Sequence, residues 1–157
     1  MINWVLLKEG ALEVLWAFVG SLGFSLLFSL KGKRLFWASL GGAIAWAAYI
    51  LVEYYSAGSL FLSGTISAMV ATAYSEIFAR ILKTPKTAFI FPAIVPMVPG
   101  GGLYYTMSNL ITKNYTKAIE YAMNTFTTAI ALAFGIVVVI LWVKTTKHIK
   151  AKKQKSE

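Results

Sequence analysis

All four prolines of the chain fall between Pro85 and Pro99, and three stand in one apolar run, Phe91-Pro92-Ala93-Ile94-Val95-Pro96-Met97-Val98-Pro99-Gly100-Gly101-Gly102. No uninterrupted helix accommodates that run. A proline has no backbone N–H, and its ring collides with the carbonyl one turn back. The carbonyls of Ala88, Pro92 and Val95 therefore lose their usual helical donors. Three consecutive glycines prolong the break, because glycine reaches backbone conformations that other residues avoid.

The surroundings decide what such a break means. Mean hydropathy is +0.68, with 58% hydrophobic and 13% charged residues in 157, which is too apolar for a domain that folds in water. The chain reads as an all-α integral membrane protein. In hydrocarbon a bare backbone polar group costs several kcal/mol unless protein or a wet cavity satisfies it. A broken helix at membrane depth is also the device by which many transporters build a binding site.

A helix needs roughly 20 apolar residues to cross about 30 Å of hydrocarbon. The apolar stretches predict spans over 11–30, 35–52, 59–82, 88–112 and 118–143, the fourth broken, within one transmembrane domain of residues 1–143 followed by a basic tail of 144–157. The first stretch lacks a basic leader and a small-residue cleavage site and is expected to stay as a span. A re-entrant fourth segment is the main alternative. Charge favours a crossing: five spans place Lys31, Lys33, Arg34, Arg80, Lys83, Lys86 and six tail lysines on one side, against Lys8, Lys113 and Lys117 on the other. The positive-inside bias then puts the N-terminus out and the C-terminus in. The tail lysines suit anionic lipid headgroups better than nucleic acid. With no cysteine, no aspartate and the lone histidine, His148, in the tail, the chain cannot form a disulfide, a thiolate metal site or a Ser-His-Asp triad, and no cofactor is expected.

Small residues at Gly20, Gly23, Gly41, Gly42, Ala43, Ala45, Ala47 and Ala48 offer surfaces for close helix packing, and Ser21, Ser25 and Ser29 share one face by their spacing. Trp4, Trp37, Trp142, Tyr54 and Tyr55 fall near span ends and read as interfacial anchors. Two polar stripes flank the break: Thr65, Thr72, Ser75 and Glu76 in the third span, and Tyr121, Asn124, Thr125 and Thr128 in the fifth. They line a hydrated path or simply hydrogen-bond neighbouring helices. Glu76 is the carboxylate deepest in the membrane and a candidate for proton coupling, but Arg80 four residues on favours a structural ion pair. At the break, free N–H groups of Gly100, Gly101 and Gly102 ahead of a helix starting near Leu103 predict a polarised nest for a carboxylate, with Pro96, Pro99, Tyr104 and Tyr105 around it. A plain kink is the competing reading.

Pro85-Lys86, the run Phe91 to Gly100, the tyrosines 104 and 105 with Met107, and the early Gly23-Phe24-Ser25-Leu26-Leu27-Phe28 segment resemble the short membrane partner of the two-component threonine/serine exporter-like systems (ThrE-like, YjjB type). The resemblance covers nearly the whole chain. It implies a subunit of a bacterial inner-membrane exporter that works with a larger membrane subunit of the same family. Its substrates would be small carboxylate-bearing metabolites, threonine and serine or a dicarboxylate such as succinate. An accessory subunit that steadies the larger partner without touching substrate is the alternative. An intramembrane enzyme is disfavoured, since the chain lacks paired acid and base groups.

Overall fold

The structure, a computed structural model, describes the backbone of residues 4–154 and the side chains of residues 9–146. Six α-helices follow one another: α1 Trp4–Leu27, α2 Lys33–Tyr55, α3 Leu60–Ile81, α4 Thr87–Ile94, α5 Gly100–Ile111 and α6 Tyr115–Gln154, with a 3-10 turn at Val95–Met97 after α4. Four of them, through Glu9–Leu27, Lys33–Tyr55, Leu60–Ile81 and Tyr115–Thr146, are long and apolar enough to cross a membrane, and the bent pair Thr87–Met97 and Gly100–Ile111 meets the same measure when counted as one span. The expected spans thus appear with shifted ends. The third is nearly unchanged, while the last helix starts earlier than residue 118 and continues into the tail region. The side chains of Trp4, Lys8, His148 and the tail lysines beyond Lys144 lie outside the described residues.

Each sharp helix end uses the same stop. Ser29, Ala57, Lys83 and Lys113 take positive φ of 56°, 53°, 47° and 59°. The N–H of the following residue reaches back five positions: Leu30 to the Ser25 carbonyl at 3.1 Å, Gly58 to Glu53 at 3.0 Å, Thr84 to Ala79 at 2.9 Å and Asn114 to Asn109 at 2.8 Å. This left-handed cap satisfies carbonyls that a helix end otherwise leaves bare. Ser29 therefore leaves the helix, and only Ser21 and Ser25 share a buried face of α1.

Helices α1, α2 and α3 pack in sequence, and α6 closes on α3. A Cβ on Gly64 would stand 3.0 Å from the Ala131 methyl, and one on Gly135 would stand 2.8 Å from the Ala68 methyl and overlap the Thr65 carbonyl. The hydroxyl of Thr65 donates to the Ala131 carbonyl at 3.4 Å. Contacts advance together by four residues along both helices, so α3 and α6 run parallel. Two parallel spans require a return crossing between them, and the bent pair supplies it: α4 with its 3-10 turn and α5 differ in direction by 47°, a kink and not a reversal. This geometry favours one bent crossing over the re-entrant alternative.

The short α4 is enclosed by α1, α2 and α3. Phe89 is fully buried against Leu30, Ala38 and Ala79, and Ala93 and Met97 pack with Ala45, Ala68, Ala71 and Leu132. Among the small residues, Gly41 and Gly42 make the close approaches, Gly41 to Tyr74 and Ala93 and Gly42 to Ser21 and Pro92. Gly20 and Gly23 have open space around them instead, so their faces are free for lipid or another chain. Trp37 is likewise part of the packing, stacked on Phe78 at 4.6 Å with its carbonyl accepting from the Tyr74 hydroxyl at 2.9 Å. Trp142, Tyr54 and Tyr55 are exposed as anchors should be.

Gly64 lies four residues into α3, but its neighbour Ala131 lies sixteen residues into α6. The first dozen residues of α6 thus run on beyond the start of α3, by about 18 Å at 1.5 Å per residue. Helix α5 lies along this extension, with Gly102 against Thr125 and the Tyr105 ring stacked on Tyr121 at 5.3 Å. No residue of α5 is buried. Together they form an apolar arm, with Leu103, Met107, Ile111, Ile119 and Phe126 exposed.

Candidate functional site

The break is built from three consecutive solutions to missing donors. Pro92 sits inside α4, past its first turn, and leaves the Ala88 carbonyl without its helical donor. Beyond it the chain tightens to the 3-10 turn, and the Val98 N–H donates to the Val95 carbonyl at 3.2 Å, so Val95, expected to be bare, is satisfied. Val98 is then extended at φ −63°, ψ 124°, and Pro99, at φ −77°, ψ 53°, forms an inverse γ-turn closed by the Gly100 N–H on the Val98 carbonyl at 2.7 Å.

That turn revises the expected nest. Helix α5 begins at Gly100, not near Leu103, and the Gly100 N–H is already used; Leu103 donates to the Pro99 carbonyl at 3.2 Å as the first helical bond. The Gly102 N–H has no acceptor among the described residues. Gly100 and Gly101 are exposed, with nothing within 4 Å of where a Cβ would stand, whereas a Cβ on Gly102 would overlap the Thr125 hydroxyl. The break is open at Gly100 and Gly101 and closed by packing at Gly102.

The structure gathers some of the other candidates and separates others. Pro96 and Pro99 flank Met97, which is buried. Thr125 and Thr128 are buried on α6 and donate to their own helix, to the Tyr121 carbonyl at 2.7 Å and the Asn124 carbonyl at 2.9 Å. Asn124 is exposed, so the α6 stripe splits between two faces. Tyr105 belongs with Tyr121 in the arm, and Tyr104 is exposed beside it. In α3, Thr72 and Ser75 donate to the carbonyls of Ala68 and Ala71, both at 2.7 Å, so these buried hydroxyls are spent on their own helix.

Glu76 is buried at 4% exposure and held by two cations. Arg80 reaches one carboxylate oxygen at 3.0 Å, and the Lys86 ammonium lies against the other. Lys86 precedes α4, so the carboxylate ties the end of α3 to the start of the broken segment. Sequence spacing showed Arg80 but not Lys86, which reaches Glu76 across the turn between the helices.

Ser21 and Gly42 were legible only as packing residues, yet they mark the polar spot at the heart of the bundle. The Ser21 hydroxyl is fully buried and has no partner among the described residues. A Cβ on Gly42 would overlap it and lie 3.2 Å from the Pro92 carbonyl, whose helical donor would have come from Pro96. An unpaired hydroxyl and a proline-freed carbonyl thus face one another across a glycine, beside the broken helix.

These features define a polytopic helical membrane protein in which an interrupted helix is enclosed by continuous ones, the architecture by which membrane transporters expose backbone groups to a solute. The chain belongs to the Threonine/Serine exporter, ThrE family, whose sequence pattern it matches over residues 13–142. Membership places it among threonine/serine exporter-type transporters. No solved structure matches the chain.

Proposed function

We propose that this chain is one subunit of a heteromeric secondary transporter that exports threonine, serine or a related small carboxylate such as succinate, together with a larger membrane subunit of the same family. The carrying observation is the interruption itself: α4 is enclosed by α1 to α3 as far as Met97, and the chain then turns by 47° through Val98 and Pro99 into α5, whose first residues, Gly100 and Gly101, are exposed. Carboxylate capture falls to the start of α5, where Gly101 and Gly102 N–H groups and the helix dipole favour an anion. Pro96 and Pro99 set the backbone there, Tyr104, Tyr105 and Asn124 border the approach, and Thr125 and Thr128 back it from α6. Glu76, already held by two cations, serves as structural support and not as the coupling group.

Five spans leave little room for two gated halves, and the exposed arm of α5 and early α6 supports a second chain supplying the other half. The same exposed arm favours the accessory reading as well, in which the chain only steadies its partner. In a bacterial inner membrane the loop charges favour an outer N-terminus and an inner C-terminus. The test is export of threonine, serine and succinate from preloaded cells that express this chain alone, the larger subunit alone, or both. Export requiring both chains is expected. Transport by this chain alone in liposomes would overturn the heteromer.

A further inference from the structure

At the end of the bundle marked by the α1–α2 and α3–α4 turns lies a recess of about 590 Å³, lined by Ser29, Leu30, Lys31, Lys33, Arg34, Ile81, Leu82 and Lys83. Four of these are cationic, drawn from two turns that the sequence separates by some fifty residues. No acidic residue occurs between Glu13 and Glu53 or between Glu76 and Glu120, and Glu76 is already occupied by Arg80 and Lys86. Among the described residues the four charges therefore have no carboxylate partner. Helix α2 also starts here. Its N-cap, Gly32, sits at φ 57° and offers no side chain to the first N–H groups, so the positive end of the helix adds to the field. Leu30, Leu82 and Ile81 give the recess apolar lining, with Ile81 65% exposed, and Leu27, the last residue of α1 two positions before Ser29, is 76% exposed.

We infer that this recess is a binding site for a phosphate-bearing anionic headgroup, occupied by a membrane phospholipid whose acyl chains lie along the exposed flank at Leu27 and Ile81. The turns end membrane spans, which is where lipid phosphates lie, and cationic pockets between spans recognise such headgroups. Apolar walls contiguous with the lipid-facing flank favour a lipid over free phosphate. The assignment holds whichever side of the membrane these turns occupy, and it is independent of what the protein transports.

The test uses the full-length protein in detergent, with dioctanoyl phosphatidylglycerol, the same-chain phosphatidylcholine and inorganic phosphate as probes, read by native mass spectrometry and by titration. Saturable binding of phosphatidylglycerol is expected, with phosphatidylcholine and millimolar phosphate at least tenfold weaker. The combined Lys33→Gln, Arg34→Gln and Lys83→Gln protein should lose phosphatidylglycerol affinity at least tenfold. A protein with Lys113→Gln, Lys117→Gln and Lys144→Gln, which removes as many charges elsewhere, should keep it, and so should Lys33→Arg with Lys83→Arg, which retains the charge. Equal loss in the control triple would reduce the effect to net charge and overturn the site. Phosphate binding as strong as the lipid would overturn the headgroup assignment. Unchanged lipid binding in the first triple, at unchanged helicity, would overturn both.

Discussion

At the scale of single residues, glycine does two different things in this chain, and substitution separates them. Gly42 lets Ser21 and the Pro92 carbonyl close on one point, so Gly42→Ala drives a methyl into the Ser21 hydroxyl. Such overpacking costs about 1–3 kcal/mol. Thermal unfolding of the purified protein should show that loss, and Ser21→Gly in the same chain should restore part of it because it removes the colliding atoms. An alanine at Gly42 that leaves stability unchanged would mean the α1–α2 contact is looser than described. Glu76→Gln should likewise destabilise, by about 1–3 kcal/mol, since one charge-assisted bond to each of two cations weakens while Arg80 and Lys86 remain half exposed to water. Export per assembled molecule, measured beside the amount of subunit in the membrane, should survive that change. Its complete loss at normal assembly would return Glu76 to the coupling role.

At the scale of elements, the seam between α3 and α6 rests on Gly64 and Gly135, where the backbones come close enough that a side chain has nowhere to go. Gly135→Val should cost about 2 kcal/mol or more, and should do so with Gly20→Val and Gly23→Val nearly neutral, because those two face open space. That contrast marks how much could be read from sequence. Apolar length and the proline run pointed to the long helices and to the break, since both are local properties of the chain. Small residues named the kind of contact but not its address: Gly20 and Gly42 look alike until a partner helix is in place. The same blindness hid Lys86 from Glu76, and hid that Ser21 and the Pro92 carbonyl both border Gly42, arrangements made only once α4 is folded between its neighbours. The long arm of α5 and early α6 was also invisible, because its residues are as apolar as those of a span and only the register with α3 shows that they run past it.

For the whole molecule, the parallel course of α3 and α6 fixes which turns share a side. Cysteines at Ser56 and Asn114 should react together with an impermeant thiol reagent in intact cells, and cysteines at Thr84 and Ser156 only after lysis; the chain has no native cysteine to confuse the result. Labelling of Ser56 without Asn114 would break the five-span account. The central claim, that the interruption handles substrate, is tested most directly at Gly101, which is exposed and has room for a side chain. The measurement is threonine export from preloaded cells carrying Gly101→Val, normalised to subunit and co-purified partner in the membrane. Gly101 has ordinary helical backbone, so valine there acts by placing a branched side chain over the first turn of α5 and blocking approach to its N–H groups. Losing one or two charge-assisted bonds lowers affinity about tenfold to a thousandfold. Normal assembly with export reduced at least tenfold at low internal threonine is expected, while normal assembly with export at the unmutated rate would contradict substrate handling at the interruption and leave the break as a kink.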